Sequence, residues 1–219
     1  MAKDENVLAE GGIQFFGKMS VAATHEIKNS LAIINESAGL LKDLSMMAEK
    51  GPPLSLERIN DISQRVIRQV QRADLVLRKL NQFSHSVDMS TQVADLEKTV
   101  RFVLNLASGF IERQGVLVEV TAPVSPVLVT SNLFYLENMI WKAIETACCA
   151  AKGEKRVMIS FETDLKAPLI WFSMDTAKDD LMEDVFGSKK VRALMAYLDI
   201  SVKKSKENND FGLLWPELI

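Results

Sequence analysis

The chain has 219 residues, 26 Lys and Arg against 29 Asp and Glu for a formal charge of −3, and 47% hydrophobic residues. At about 150 residues per domain that is one large domain or two small ones, and the composition excludes a disordered chain. There is no basic excess for a nucleic-acid backbone, no apolar run long enough for a membrane span, and the start MAKDENVLAEGG lacks the pattern of a secretory signal. A cytoplasmic protein with neither nucleic-acid nor membrane partners is therefore expected.

From Phe16, the apolar residues Phe16, Met19, Ala23, Ile27, Leu31, Ile34, Ala38 and Leu41 recur in steps of three and four, the period of an amphipathic helix. Gly51, Pro52 and Pro53 should end it, since Gly suits a helix C-terminal cap and Pro cannot continue the ladder. A second series, Ile59, Ile62, Val66, Val70, Ala73, Leu77 and Leu80, follows the coiled-coil seam period, with Ser55 as N-cap and an end around Val87 to Ser90. Two long helices joined by a short turn make an antiparallel hairpin with one apolar seam and nothing in the same chain to cover it fully. A second copy would cover it, so the periodicity predicts a homodimeric four-helix bundle.

After Ser90 the pattern alternates. Helices are expected over Leu96 to Arg113, Leu133 to Lys152 and Ser188 to Leu198. Strands are expected over Val116 to Val120, Val127 to Thr130, Arg156 to Thr163 and Leu169 to Met174, and near Ile200 to Lys203 and Gly212 to Leu214. The expected fold class is α+β: a helical hairpin over residues 1–88 and an α/β sandwich over residues 89–219. Cys148 and Cys149 are adjacent in a helical segment, where a mutual disulfide would be strained, and read as two small buried side chains. Trp141, Trp171 and Trp215 read as core or interdomain residues.

Chemistry-bearing residues are few. His25 lies two residues from both Ala23 and Ile27, about 200° from the apolar stripe, so it points outward. Asn29 shares its face one turn on, and Glu26 is its neighbour. An exposed neutral imidazole is a nucleophile, and a nearby carboxylate can take the proton it sheds, so His25, Glu26 and Asn29 are the candidate phosphoryl-acceptor site. The metalloprotease spacing H-E-x-x-H is absent, since its last position is Asn29, and no metal site is expected. His85 has no adjacent carboxylate and reads as structural or solvated. Arg65, Arg68, Arg72, Arg78 and Lys79 read as bundle surface, with an acidic partner as the other possibility.

Gly17 to Leu41, GKMSVAATHEIKNSLAIINESAGLL, closely resembles the H-box of the dimerisation and histidine-phosphotransfer domain of two-component sensor histidine kinases. His25, Glu26, Ile27, Lys28, Asn29 and Leu31 match that box. Ser30 stands in place of its proline, which removes the expected kink. VADLEKTVRFVLNLASGFIERQGVLVEV resembles the entry to that family's ATP-binding domain, a Bergerat-type α/β sandwich, and ENMIWKAIETACCAA resembles its N-box. The resemblance implies that Asn138 and Asp175 are vestiges of a nucleotide site. Lys142 stands where a second asparagine would help to hold Mg2+, and it offers no oxygen ligand. Its ammonium either takes the ion's place or lies on a solvated face. The first glycine box is reduced to Asp175-Thr176-Ala177-Lys178-Asp179 and the second to Gly187-Ser188-Lys189-Lys190-Val191-Arg192. Most of the backbone that would approach a nucleotide is thereby lost, and Lys178 to Val185 is short for an ATP lid.

The resemblance implies a histidine phosphotransfer protein on a degenerate histidine-kinase scaffold, similar to dimeric phosphotransferases that have lost nucleotide binding. It would pass phosphoryl groups between the aspartates of response-regulator receiver domains. It would need no cofactor of its own, the receiver bringing Mg2+, and the 24 residues before His25 leave no room for a sensor. The alternatives are an ATP-binding histidine kinase, a response-regulator phosphatase using Glu26 and Asn29, and a non-catalytic receiver-binding scaffold.

Overall fold

The computed structural model describes residues 2–51, 53–88, 90–151, 156–162, 167–174, 179–205 and 210–216. Its elements are α1 (Ala2–Ala48), α2 (Leu56–Ser86), β1 (Gln92–Asp95), α3 (Leu96–Leu106), α4 (Ser108–Gln114), β2 (Leu117–Val120), β3 (Leu128–Ser131), α5 (Leu133–Ala150), β4 (Arg156–Glu162), β5 (Leu169–Met174), α6 (Asp179–Gly187), α7 (Lys189–Leu198), β6 (Ser201–Lys204) and β7 (Phe211–Leu214). The fold is α+β, with long helices followed by a sheet domain. The chain forms two compact units, Met19–Gln82 and Met1–Lys18 with Phe83–Ile219. No helix among the described residues is long and apolar enough to cross a membrane.

The Met19–Gln82 unit is an antiparallel helical hairpin. Gly51, at φ 120°, turns the chain between the helices through a backbone region open to glycine. Arg65 of α2 reaches Glu36 of α1, and Arg72 reaches Glu26, each at 3.1 Å, which sets the antiparallel register. Met19, Ala22, Ala23, Ser30 and Ser37 are buried from α1, and Ile62 and Val76 from α2. Of the expected α2 seam, Ile62 is buried and Ile59, Val66, Ala73 and Leu80 are half buried, but Val70 and Leu77 are about half exposed, and beside them Gln69 is half buried and Val76 buried instead. Two helices bury only the stripe where they touch, so the rest of a wide apolar face stays in water.

The other unit is built on a five-stranded sheet in the order β2-β4-β5-β7-β6, with β2 and β4 parallel and the other pairs antiparallel. A separate β1–β3 ladder pairs Gln92 with Ser131 and Asp95 with Leu128. The core joins Val157, Ile159, Ile170, Phe172, Phe211 and Leu213 from the sheet with Val100 and Val103 of α3 and Met139, Ile140, Ala143 and Ile144 of α5. Asp95 caps α3 by accepting from the backbone N–H groups of Glu97 and Lys98, and Asn132 caps α5 by accepting from Tyr135. The first turns of α1 belong to this unit, where Phe15 meets Phe83 edge-on at 5.3 Å and Phe134 at 5.6 Å.

Several sequence expectations are corrected. The first helix starts at Ala2 and not Phe16: Gly11 and Gly12 lie inside it, and a Cβ on Gly12 would sit 3.0 Å from the Phe134 ring. Close packing there overrides the low helix propensity of glycine. The expected helix over Leu96 to Arg113 breaks at Ala107, where φ is −98° and ψ 10°, just before the weak helix formers Ser108 and Gly109. Strand β1 and helix α6 were not expected at all. Cys148 is buried, but Cys149, one position and about 100° round α5, is exposed, so the pair is not uniformly buried. Trp141 and Trp215 are buried as expected. Trp171 points away from the core because its neighbours Ile170 and Phe172 point into it, and its indole donates to Glu162.

Candidate functional site

On the hairpin, His25 and Asn29 are both exposed and lie one turn apart on α1. Neither side chain has a hydrogen-bond or ion-pair partner among the described residues, so the imidazole is free to meet a reactant. Glu26 differs. Its side chain is only 19% exposed, and the guanidinium of Arg72 holds it from α2. Both Nε and Nη2 of Arg72 approach the same carboxylate oxygen, Oε1, at 3.1 Å. Below them, Ser30 is buried within an unbroken α1 and its Oγ has no partner among the described residues. An unbroken helix is what the missing proline implies.

The motif reading missed Arg72, which it placed among surface cations. The signal was present in the spacing: Arg65 and Arg72 are seven residues apart on a helix of coiled-coil period, which puts them on one edge facing α1. Arg78, by contrast, pairs with Asp74 on its own helix at 2.8 Å. His85 is exposed as expected, but a carboxylate is near: Asp88 lies 3.6 Å from its Nδ1.

Of the candidate nucleotide residues, Asn138 lies in the sheet unit and, with Lys142, lines a cavity of about 600 Å3 between α1, α5, α6 and α7. Asn138 is 3% exposed and its Oδ1 has no partner among the described residues, nor has Nε1 of the buried Trp141. Asp175, with Thr176 to Lys178, lies outside the described residues. Lys142 is neither ion-like nor simply solvated: its ammonium lies 3.3 Å from Glu145 Oε2, while Lys18 of α1 pairs with Oε1 of the same carboxylate. Lys18 also sits 5.4 Å from the ring centres of Phe110 and Trp141, a cation–π placement.

That arrangement does not suit Mg2+. Of the two carboxylates that line the cavity, Glu145 is already paired with two ammonium groups, and beyond Asn138, Lys142 offers no oxygen to a metal ion. Among the described residues no group of three His, Cys, Asp or Glu is placed to hold a metal ion. Ser188 caps α7 by accepting from Val191 N–H at 3.4 Å, so that helix start is closed by its own side chain. The lid region is instead the helix α6.

Three groups near α5 have raised pKa values. Burial pushes Glu137 up to about 8, the hydrogen bond from Ser86 opposing it. Burial, then the charges of Cys149 and Glu145, pushes Cys148 up to about 12, so it is an unreactive thiol. Tyr135 is raised by burial and by Tyr197.

No protein-family model matches the chain, and no curated protein matches it. Among solved structures, the histidine kinase AdeS of Acinetobacter baumannii is similar at a TM-score of 0.48 and 13% identity, covering 89% of this chain and 98% of that one. The cytoplasmic segment of the histidine kinase QseC is similar at 0.47 and 10%, covering 66% and 95%. The nucleotide-free catalytic domain of the histidine kinase ThkA is similar at 0.46 and 13%, covering 59% and 98%.

Proposed function

We propose that the chain is a histidine phosphotransfer protein of two-component signalling, taking a phosphoryl group onto His25 from the aspartate of one receiver domain and giving it to another. The observation that carries this reading is the constellation on the hairpin: an unpartnered, exposed imidazole within the H-box sequence, Asn29 one turn on, and Glu26 held by Arg72.

The mechanism needs little from the rest of the protein. The unprotonated ring nitrogen of His25 attacks phosphorus, the N–P bond forms, and the P–O bond to the receiver aspartate breaks as that residue leaves as a carboxylate. The proton on the other ring nitrogen becomes acidic and passes to Glu26. Phosphoryl transfer depends on positioning and charge, and Mg2+ comes with the receiver. Asn29, exposed beside the imidazole, is placed to hydrogen-bond the incoming phosphoryl oxygens.

The chain uses no ATP in this reading, which is supported by Lys142, a residue that offers Mg2+ no oxygen and is paired with Glu145. A second copy of the chain is the partner for the hairpin's uncovered apolar face, where Leu31, Val70 and Leu77 are 56%, 52% and 46% exposed. A receiver phosphatase is the second reading, favoured by the free amide of Asn29, which can orient a water as well as a phosphoryl group.

The test uses 32P-labelled receiver and, separately, labelled Mg-ATP. Label moving from receiver to His25, none from ATP, and no transfer by His25→Ala with receiver binding kept within a few fold are the expected results. Label from ATP overturns the reading, and loss of receiver label with none on His25 selects the phosphatase. A nucleotide titration of the purified chain should show no saturable binding.

A further inference from the structure

We propose that Arg72 is a positioning residue for this transfer, holding Glu26, the residue that follows His25, by its charge from α2. The inference rests on the reading of His25 as the phosphoryl acceptor. The two ion pairs that join α1 and α2 lie on the same edge of α2, seven residues apart, yet they differ. Arg65 meets Glu36 with both side chains well exposed, 42% and 60%, and a single nitrogen bonded at 3.1 Å. Such a pair contributes little. Arg72 is itself 53% exposed, but Glu26 is only 19% exposed, and Nε and Nη2 of Arg72 both lie 3.1 Å from its Oε1.

The Nε hydrogen bond, with Nη2 at the same distance, holds that one oxygen against α2. These contacts leave Oε2 without a partner among the described residues, on the residue that follows His25. The remaining charged groups within about one turn on either helix do not compete for it: Lys28 of α1 and Arg68 of α2 are exposed, and Asp74 is taken by Arg78.

The arrangement answers a conflict in the chemistry. A base beside His25 must be ionised to take the ring proton, but a bare negative charge there favours the imidazolium, which has no lone pair with which to attack phosphorus. Arg72 resolves it from behind. Its charge offsets that of Glu26 in the resting protein, while Oε2 remains open to accept the proton as the N–P bond forms. Glu36, about two turns beyond Asn29 and far more exposed, has no such task, which makes Arg65 the matched control.

The experiment compares single-turnover transfer from a phosphorylated receiver across pH for the full chain and for Arg72→Gln, Arg72→Lys and Arg65→Gln. Arg72→Gln should transfer about tenfold more slowly at neutral pH, part of the 10²–10⁴ that such proton-accepting groups contribute. The acid side of its pH–rate profile should move to higher pH. Arg72→Lys, which keeps the charge without the fork, should restore the profile's position and only part of the rate, and Arg65→Gln should change neither. An unchanged profile in Arg72→Gln, or an equal effect from Arg65→Gln, overturns the proposal. Should Arg72→Gln fail to fold, Arg72→Lys decides alone: a rate and profile both equal to wild type overturn the positioning role. If the wild-type chain takes no label on His25, the phosphotransfer reading itself has failed. If it takes label and the Arg72 variants behave as wild type, only the role of Arg72 has failed.

Discussion

The hairpin and the sheet unit treat their charged groups in opposite ways. On the hairpin, polar groups are left open: among the described residues the exposed His25 and Asn29 have no side-chain partners, and Arg72 holds one oxygen of Glu26 while the other has none. Around the cavity of the sheet unit, Glu145 and Lys190 are closed on other side chains. Glu145 is shared by Lys18 and Lys142, and Lys190 reaches Glu10 at 2.7 Å and Gln14 at 3.0 Å. Groups that do chemistry on a partner must stay unsatisfied until the partner arrives, whereas groups that only hold a fold together are satisfied within it. In the proposed reading the chemistry belongs to the hairpin, although Asn138 Oδ1 and Trp141 Nε1 also line the cavity without partners among the described residues.

The largest expected effect tests the hairpin's open apolar face. Val70 and Leu77 lie seven residues apart on α2 and are about half exposed in one copy. If a second copy covers them, Val70→Asp with Leu77→Asp puts four unpaired charges into the dimer seam, a cost on the order of several kcal/mol. The variant should be a monomer by light scattering at micromolar concentration where the wild type is a dimer. A wild-type monomer, or a variant dimer, breaks the argument that this face is left open for a second copy.

The next effect lies in the sheet unit. Glu137 is buried with no cation paired to it among the described residues, and Ser86 Oγ lies 2.8 Å from both its Oε2 and the Phe83 carbonyl. Burial raises its pKa from 4.5 to about 8. The folded protein therefore holds a proton that the unfolded chain releases. The stability due to this group is full below about pH 4.5 and is lost as pH rises to about 8. Each tenfold change in proton affinity between the folded and unfolded chain is worth about 1.4 kcal/mol, so the loss is on the order of a few kcal/mol. Glu137→Gln keeps the shape and cannot ionise, so it should match the wild type near pH 4.5 and exceed it at pH 8. Denaturant melts across that range check it, and parallel curves for the two proteins would show that Glu137 is not held protonated.

How much of this was legible depended on whether a feature is local. The outward face of His25 follows from a 100° wheel, and Leu169–Met174 from its apolar run, because both are set by residues within a turn or a strand. Strand β1 is four residues long and exists through its pairing with β3, so no local period marks it. Gly11 and Gly12 argue against the helix that contains them, until Phe134 is known to lie where a side chain on Gly12 would go. The Arg72–Glu26 pair joins residues 46 apart, and only the register of the hairpin brings them together. On α5, the replaced second asparagine was readable. That Lys142 would share Glu145 with Lys18, 127 residues from it, was not.

The smallest expected effect concerns Ser30, which stands where the resembled motif has proline. Ser37 and Ser45, on the same helix, donate to the carbonyls of Ile33 and Leu41 at 2.8 and 3.0 Å. Ser30 is 1% exposed and its Oγ has no partner among the described residues, and the same holds for Oε1 of the half-buried Gln69. The ion pairs at Glu26 and Glu36 bracket Ser30 on α1, and those at Arg72 and Arg65 bracket Gln69 on α2, so the two face the same stretch of the hairpin. A buried hydroxyl without a bond costs free energy, so Ser30→Ala should leave stability unchanged or raise it by up to ~1 kcal/mol. A loss of ~1 kcal/mol or more in a thermal melt would mean that the hydroxyl is bonded in solution. The hairpin interior would then contain a satisfied polar link like those of the sheet unit, one able to fix the register of α1 against α2, and the contrast between the two units would hold only for their outer faces.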